Sequence, residues 1–327
     1  AAEHPVIIGG GQINFENAHD ALAQFAEASG AGVVSAFRRQ DILPHEHHAN
    51  LGHFGLHLVP YQKKFWADCD LVILAGARPD GATLQGYSLL RSDQRIIHIY
   101  PEDAAFAQTN PDMALKADAG PSLAALRTGL ESPPASSRLA WRAVHHQEHI
   151  THATPGRDAA AQSLGAVDMA EIIMQLRARL PDEASIVNDS GAFAGWLHRH
   201  FAFRAPHSQF AACLGAMGYG MPAAIAAKVA RPDVPVVCYA GDGGILMTGN
   251  ELATAVQHDL PIVLIIANNS MYGTIRMHEE REYPGREIAT HLRNPDFVAW
   301  AEAFGAQGER VTTTEEFAPA MERALAA

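Results

Sequence analysis

Residues 239–276 read YAGDGGILMTGNELATAVQHDLPIVLIIANNSMYGTIR, and the fold is decided by how the pattern changes inside this stretch. An apolar run at 236–240 stops at Gly241-Asp242-Gly243-Gly244. A strand that ends in glycines is one whose end something approaches closely. A helix is expected next over 251–258, capped by Thr248 or Asn250 and closed by Asp259 and Pro261. The run at 262–267 is continuously β-branched and aliphatic, the pattern of a parallel strand buried on both faces, and it stops at Asn268-Asn269. In a right-handed strand-helix-strand unit the C-terminal ends of neighbouring parallel strands lie side by side. Asp242 and Asn269 therefore face one crevice.

A carboxylate and an amide carbonyl are hard oxygen ligands, and glycine amides at a helix start favour anions. Together they suit a magnesium ion holding a diphosphate. The cation is required by charge, because a carboxylate beside a diphosphate repels it unless a divalent ion stands between them. Either motif alone fits an ordinary turn or strand cap equally well; the pair at this spacing is far more specific.

The paired motif resembles the cofactor-binding fingerprint of thiamine-diphosphate enzymes. Its flank GAMGYGMPAAIAAKVARPD, from Gly215 to Asp233, followed by the stretch above, is similar to the diphosphate-binding domain of the acetolactate synthase and benzoylformate decarboxylase group. The resemblance runs from about His4 to the C-terminus. It implies metal binding by Asp242, Asn269 and the backbone of Met271. It also implies cofactor contacts from Gly191, Ala192, Phe193, Gly215, Gly241, Gly243, Gly244, Tyr272, Gly273 and Thr274. Small and apolar residues stand at Ala192 and Phe193 where many members carry Gln-His or Asn-His, so the expected contacts there are from the backbone. Met217 falls where the family places a bulky aliphatic residue that bends the cofactor, although core packing is the usual fate of a methionine. His278 stands where strict acetolactate synthases have a tryptophan that helps choose the second 2-oxo acid.

Composition bounds the alternatives. The chain of 327 residues carries a net charge of −12 and has no Lys/Arg block, which argues against nucleic acid or an anionic membrane as partner. No uninterrupted apolar span reaches membrane length. Cys69, Cys213 and Cys238 lie far apart in apolar surroundings, which reads as buried reduced thiols in a cytoplasmic protein.

Residues 1–131 alternate strand and helix: strands at 5–11, 33–34, 70–75 and 95–100, with a helix at 18–29. This is a Rossmann-like parallel α/β domain. Its Gly9-Gly10-Gly11-Gln12 turn lacks the third glycine of a dinucleotide fingerprint. In the resembling family this central domain binds FAD or another adenine-containing group in some members. Residues 132–165 are polar and read as a linker with a helix across 138–149, whose His145, His149 and His152 are expected on a solvated face. His45, His47 and His48 form a second histidine group without a clear cysteine or acidic metal-ligand partner, and it too is expected on a solvated face. Residues 166–327 form the second parallel α/β domain: an amphipathic helix at 168–180, a strand at 185–188, a helix over 213–230, the motif stretch, a charged aromatic segment at 272–286, a helix at 294–304, a strand near 307–311 and a helix from Thr313. Both domains are expected to be three-layer parallel-sheet structures.

The resemblance implies a thiamine-diphosphate- and Mg2+-dependent carboligase or decarboxylase acting on a 2-oxo acid, acetolactate synthase-like, with a simple decarboxylase as the alternative. A nucleotide-binding α/β module that lost the chemistry is the reading from another class. Family members bind the pyrimidine end of the cofactor through a further domain that carries a catalytic glutamate, and the residues from His4 onward already match the central domain. A homo-oligomer, dimer or tetramer, or a separate pyrimidine-domain chain is therefore expected as partner, the chain being truncated or one subunit of a split enzyme.

Overall fold

The computed structural model describes residues 2–156 and 165–327. Two compact units divide it: residues 1–154 with 202–207, and residues 155–201 with 208–327.

The first unit is built on strands β1 (Pro5–Gly9), β2 (Gly32–Ser35), β3 (Asn50–His53), β4 (Leu71–Ala75), β5 (Arg95–Tyr100) and β6 (Met113–Lys116). They form one sheet in the order β3-β2-β1-β4-β5-β6, parallel throughout. Helices α1 (Gly11–Phe15), α2 (His19–Ser29), α3 (Pro60–Asp68), α4 (Ala119–Thr128) and α5 (Ser136–Ala153) cover it. Alternation along the strands divides the core into two. Val6, Ile8, Val72 and Leu74 pack with Phe65 and Trp66 of α3 and with Trp141 of α5. Ile7, Val33 and Ile73 pack with Leu22 and Phe25 of α2 and Leu123 of α4 on the other face.

The strand order reverses between β1 and β4, where open α/β sheets commonly bind ligands. Here the glycine turn has a local cause. A Cβ on Gly10 would lie 2.2 Å from Ala77 Cα and 2.5 Å from the Gly76 carbonyl, so the glycine admits the chain's own backbone. The stretch expected to be a linker begins differently from its reading: α5 is an 18-residue helix, and its His145 and His149 are buried rather than solvated. Histidine composition concealed an apolar face that Trp141 and Ala153 share with them.

The second unit carries α6 (Met169–Ala178), β7 (Ser185–Asn188), α7 (Ala194–His200), β8 (Gln209–Ala211), α8 (Gly220–Ala230), β9 (Val236–Gly241), α9 (Asp242–Thr248), α10 (Leu252–Gln257), β10 (Val263–Ala267), α11 (Gly273–Glu282), α12 (Phe297–Ala303) and α13 (Thr314–Ala326). Its sheet runs β10-β9-β7-β8, again parallel. Val187, Met221, Ala224, Cys238, Ala240 and Ile245 form a core against which Leu264, Ile266 and Trp300 pack. Asp168 caps α6 by accepting from the Ala170 and Glu171 amides, and Thr313 with Glu316 makes the expected capping box of α13.

Four local readings change. The helix after the glycines begins at Asp242 itself, because Gly241 is extended and Thr248 Oγ1 donates to the Gly218 carbonyl instead of capping a later start. Residues 213–218 are turns, with Gly215 and Gly218 at positive φ, so α8 starts only at Gly220. The strand β10 pairs only with β9 among the described residues and is half-buried along its whole length. Residues 307–311 form no strand; only Val311 there is apolar enough to favour a sheet face.

Candidate functional site

The C-terminal ends of β7, β9 and β10 bring the site together. Gly241 pairs with Ala267 in the β9–β10 register, so Asp242 and Asn268 are each the next residue on adjacent strands. Asp242 is buried, and its Oδ1 accepts from the Gly243 amide at 3.0 Å.

The glycines around it make room for side chains of this chain. A Cβ on Gly241 would meet the Phe193 ring at 2.7 Å, one on Gly243 the Tyr272 ring at 2.6 Å, and one on Gly244 the Asp189 carboxylate at 2.4 Å. Phe193 is held in turn by Tyr239, edge to face at 5.0 Å, while the Tyr239 hydroxyl donates to the Phe193 carbonyl. Gly215 differs, since its missing Cβ faces open space.

Asp189, buried at the end of β7, accepts from the Ser190 amide at 2.7 Å and from the Gly218 amide at 3.1 Å. Ser190 Oγ donates to the Ala216 carbonyl at 2.8 Å. These bonds grip the backbone on both sides of Met217, whose side chain remains half-buried. Burial, with the Asp189 charge adding to it, pushes the Cys238 thiol well above its ordinary pKa, so it stays protonated.

On the β10 side, Asn269 Oδ1 accepts from the Met271 amide at 3.2 Å, and the Met271 carbonyl accepts from the Gly273 amide at 2.9 Å. Asn268, not Asn269, is the asparagine tied to Asp242. The link is Asn294, whose Nδ2 donates to Asp242 Oδ2 at 2.7 Å and to Asn268 Oδ1 at 2.8 Å. Two buried acceptors nearby, Asn294 Oδ1 and Thr274 Oγ1, lack any hydrogen-bond partner. Such groups are rare in folded proteins.

Residues 1–126 match the family described as thiamine pyrophosphate enzyme, central domain, and residues 189–327 match its C-terminal TPP binding domain. The chain belongs to the thiamine pyrophosphate enzymes. Thiamine pyrophosphate and thiamine diphosphate are one compound. An acetolactate synthase large subunit of Parasynechococcus marenigrum is 31% identical over 96% of this chain and 51% of its own length. A sulfoacetaldehyde acetyltransferase of Castellaniella defragrans is 28% identical over 99% of this chain and 58% of its own. Among solved structures, a thiamine diphosphate-dependent 4-hydroxybenzoylformate decarboxylase of Rhodococcus jostii superposes with a TM-score of 0.81 at 26% identity, covering 100% of this chain and 60% of that one. The chain thus spans little more than half the length of the relatives it matches.

Of the residues this thiamine pyrophosphate enzyme was expected to use, the structure brings together Gly191, Phe193, Met217, Gly241, Asp242, Gly243, Gly244, Tyr272 and Gly273. Ala192 lies in the same turn as Gly191, and Thr274 in the first turn of α11. Asn294, Asp189 and Ser190 were missed as partners. Asp189 was visible only as a turn residue, and Asn294 had no motif beyond standing before Pro295. The histidine groups are elsewhere, in the first unit: His47 and His48 lie 3.4 and 4.0 Å from the Glu27 carboxylate, an acidic neighbour that sequence distance hid. No helix among the described residues is long and apolar enough to cross a membrane.

Proposed function

We propose that the chain is the central and diphosphate-binding part of a thiamine-diphosphate- and Mg2+-dependent enzyme acting on a 2-oxo acid, joining it to a second carbonyl compound as acetolactate synthases do. One observation carries the reading. The Asp242 carboxylate and the Asn268 amide oxygen converge on a single atom, 2.7 and 2.8 Å away, at the C-terminal ends of adjacent parallel strands. Convergent hard oxygens are what a small divalent cation selects.

In this reading Asp242, Asn269 and the Met271 carbonyl hold the cation, which neutralises the diphosphate against Asp242, while Asn268 is the neighbour tied to Asp242 through Asn294. When bound, the cofactor supplies the electron sink that lets the bond to the substrate carboxylate break. The chain's own residues orient it. The grip of Asp189 and Ser190 on residues 216 and 218 fixes Met217 as the side chain under the ring, and Gly215 leaves space beside it. The pyrimidine end is assigned to a further domain with its glutamate, from the rest of a longer polypeptide or a neighbouring subunit. An oligomer follows in the second case. No disulfide forms among the described residues, where Cys69 and Cys238 are buried and Cys213 is exposed rather than buried as expected, which suits a cytoplasmic enzyme. A flavin in the first unit gains nothing from the glycine turn, whose space Ala77 fills.

Simple decarboxylation is the second reading, favoured by His278 at the position of the specificity tryptophan and by the likeness to a decarboxylase structure. The test is consumption of pyruvate and of benzoylformate by the purified chain with cofactor and Mg2+, before and after adding a pyrimidine-domain fragment. The expected result is no turnover alone and turnover with the fragment, with the product distinguishing acetolactate from aldehyde. Turnover by the chain alone contradicts the division of labour between domains. Inertness toward both acids with the fragment contradicts the substrate class.

A further inference from the structure

Asn294 reaches the site along a route that the sequence did not signal. After α11 the chain returns antiparallel to residues 270–272. The Tyr272 amide donates to the Thr290 carbonyl at 2.9 Å, the Leu292 amide donates to the Ser270 carbonyl at 2.8 Å, and Met271 faces His291. Pro295 restricts the residue before it to extended backbone, and Asp296 then caps α12 by accepting from the Val298 and Ala299 amides. Asn294 is thus held between a ladder and a helix start.

From there its side chain joins the ends of two strands. Asp242 follows β9 and Asn268 follows β10, and each turns an oxygen toward the same point, where two acceptors alone would repel. The Asn294 Nδ2 group carries two protons and lies between them, 2.7 Å from Asp242 Oδ2 and 2.8 Å from Asn268 Oδ1. These acceptors fix which way round the amide stands, since a flipped amide would set a third oxygen against them. Its own Oδ1 is buried and has no hydrogen-bond partner, so the side chain is placed for its nitrogen.

Each bond constrains a part of the cation site. Asp242 accepts at both oxygens, from the Gly243 amide at Oδ1 and from Asn294 at Oδ2. The carboxylate plane is thereby locked, while each oxygen keeps a further lone pair for a ligand. Asn268 Oδ1 also accepts from the Ser270 amide at 3.1 Å, so the turn that starts at residue 268 is anchored to β9 through Asn294. Asn269 lies inside that turn, and its Oδ1 accepts from the Met271 amide at 3.2 Å.

We infer that Asn294 is a positioning residue for the cation site: by donating to Asp242 and Asn268 together, it sets the orientation of the Asp242 carboxylate and holds the turn carrying Asn269 and Met271 beside it. Asn294 acts through its neighbours and is not a ligand. Groups that orient metal ligands in this way are commonly worth about 10- to 100-fold in metal affinity. The inference rests on the reading of the previous subsection, in which Asp242, Asn269 and the Met271 carbonyl hold the cation.

The test reads metal binding, not turnover. Mn2+ is titrated into the 327-residue chain in the presence of thiamine diphosphate, with free Mn2+ followed by electron paramagnetic resonance. Asn294→Leu removes both donors at similar volume and is expected to weaken Mn2+ binding about tenfold or more. Asn268→Ala cuts the same bridge at its exposed end, away from the core, and is expected to weaken binding as well. Because both variants break one bridge, the double variant should lose no more than about twofold beyond Asn294→Leu alone. Mn2+ affinity within about twofold of the parent in Asn294→Leu overturns the positioning role, as do losses that multiply in full in the double variant. If Asn294→Leu does not fold, unchanged affinity in Asn268→Ala overturns it by itself. Asp242→Ala separates this from the underlying reading and is expected to abolish saturable Mn2+ binding. Binding retained in Asp242→Ala overturns the cation assignment, whereas binding lost there and unchanged in Asn294→Leu overturns the positioning role alone.

Discussion

Met217 is the residue whose role is easiest to separate from its surroundings. It is half-buried, and the backbone around it is fixed by Ser190 bonding the Ala216 carbonyl and Asp189 accepting from Gly218. Met217→Ala leaves those bonds and Asp242 untouched, so it should lower turnover of the enzyme assembled with its pyrimidine-side domain by tenfold or more while changing cofactor affinity little. Steady-state kinetics beside calorimetry measures both. Turnover within about twofold of the parent, about 0.4 kcal/mol in barrier, makes Met217 core packing alone. At this scale the sequence was legible where a residue belongs to a contiguous motif. Asp242 announced itself between glycines, because a buried carboxylate at a strand end needs small neighbours. Asn294 could not, since its function arises from a ladder between residues 270–272 and 290–292 that no local pattern encodes. The glycines were legible as close approaches but not as to what approaches: Phe193, Tyr272 and Asp189 fill the spaces beside 241, 243 and 244.

Among the elements, α5 departs furthest from its sequence reading, and its histidines have a consequence for stability. His149 is buried beside β3 and α3, with its ring 4.6 Å from that of His45 and its Nδ1 3.4 Å from the Tyr61 hydroxyl. Desolvation lowers the pKa values of His149 and His45, and that of His53 falls to about 4. His146 and His152 add repulsion, and against it Glu46 favours the charged form of His45. All three folded values lie below the ordinary one near 6.5. As pH falls below 6.5 the unfolded chain takes up protons that the folded unit refuses, so stability is full above 6.5 and declines toward pH 4. The melting temperature of the first unit should drop by about 5–10 °C between pH 7.5 and 5, with Trp141 fluorescence reporting the release of α5. His149→Phe should flatten the profile; a parent profile flat over this range contradicts the assignment. Periodicity would have shown α5 as amphipathic, had its histidines been counted with Trp141 and Ala153 on the inner face. The strand β10 shows the converse. Its run of aliphatic residues gave the strand correctly, but burial depends on neighbours, and only β9 pairs with it among the described residues.

For the whole molecule, the parallel sheets followed from strand and helix alternation, and the order around β1 and β4 is the one that right-handed crossovers generate. The strands β3 and β6 are four residues each, too short for a period to be read before the sheet that recruits them is known. The central claim is that a divalent cation at Asp242 holds the diphosphate of thiamine diphosphate. It is tested most directly by calorimetric titration of the cofactor into the 327-residue chain with Mg2+, with excess chelator, and in Asp242→Ala. The account predicts saturable binding with Mg2+ that is lost with chelator and lost in Asp242→Ala; binding of equal affinity in either of those two would contradict it.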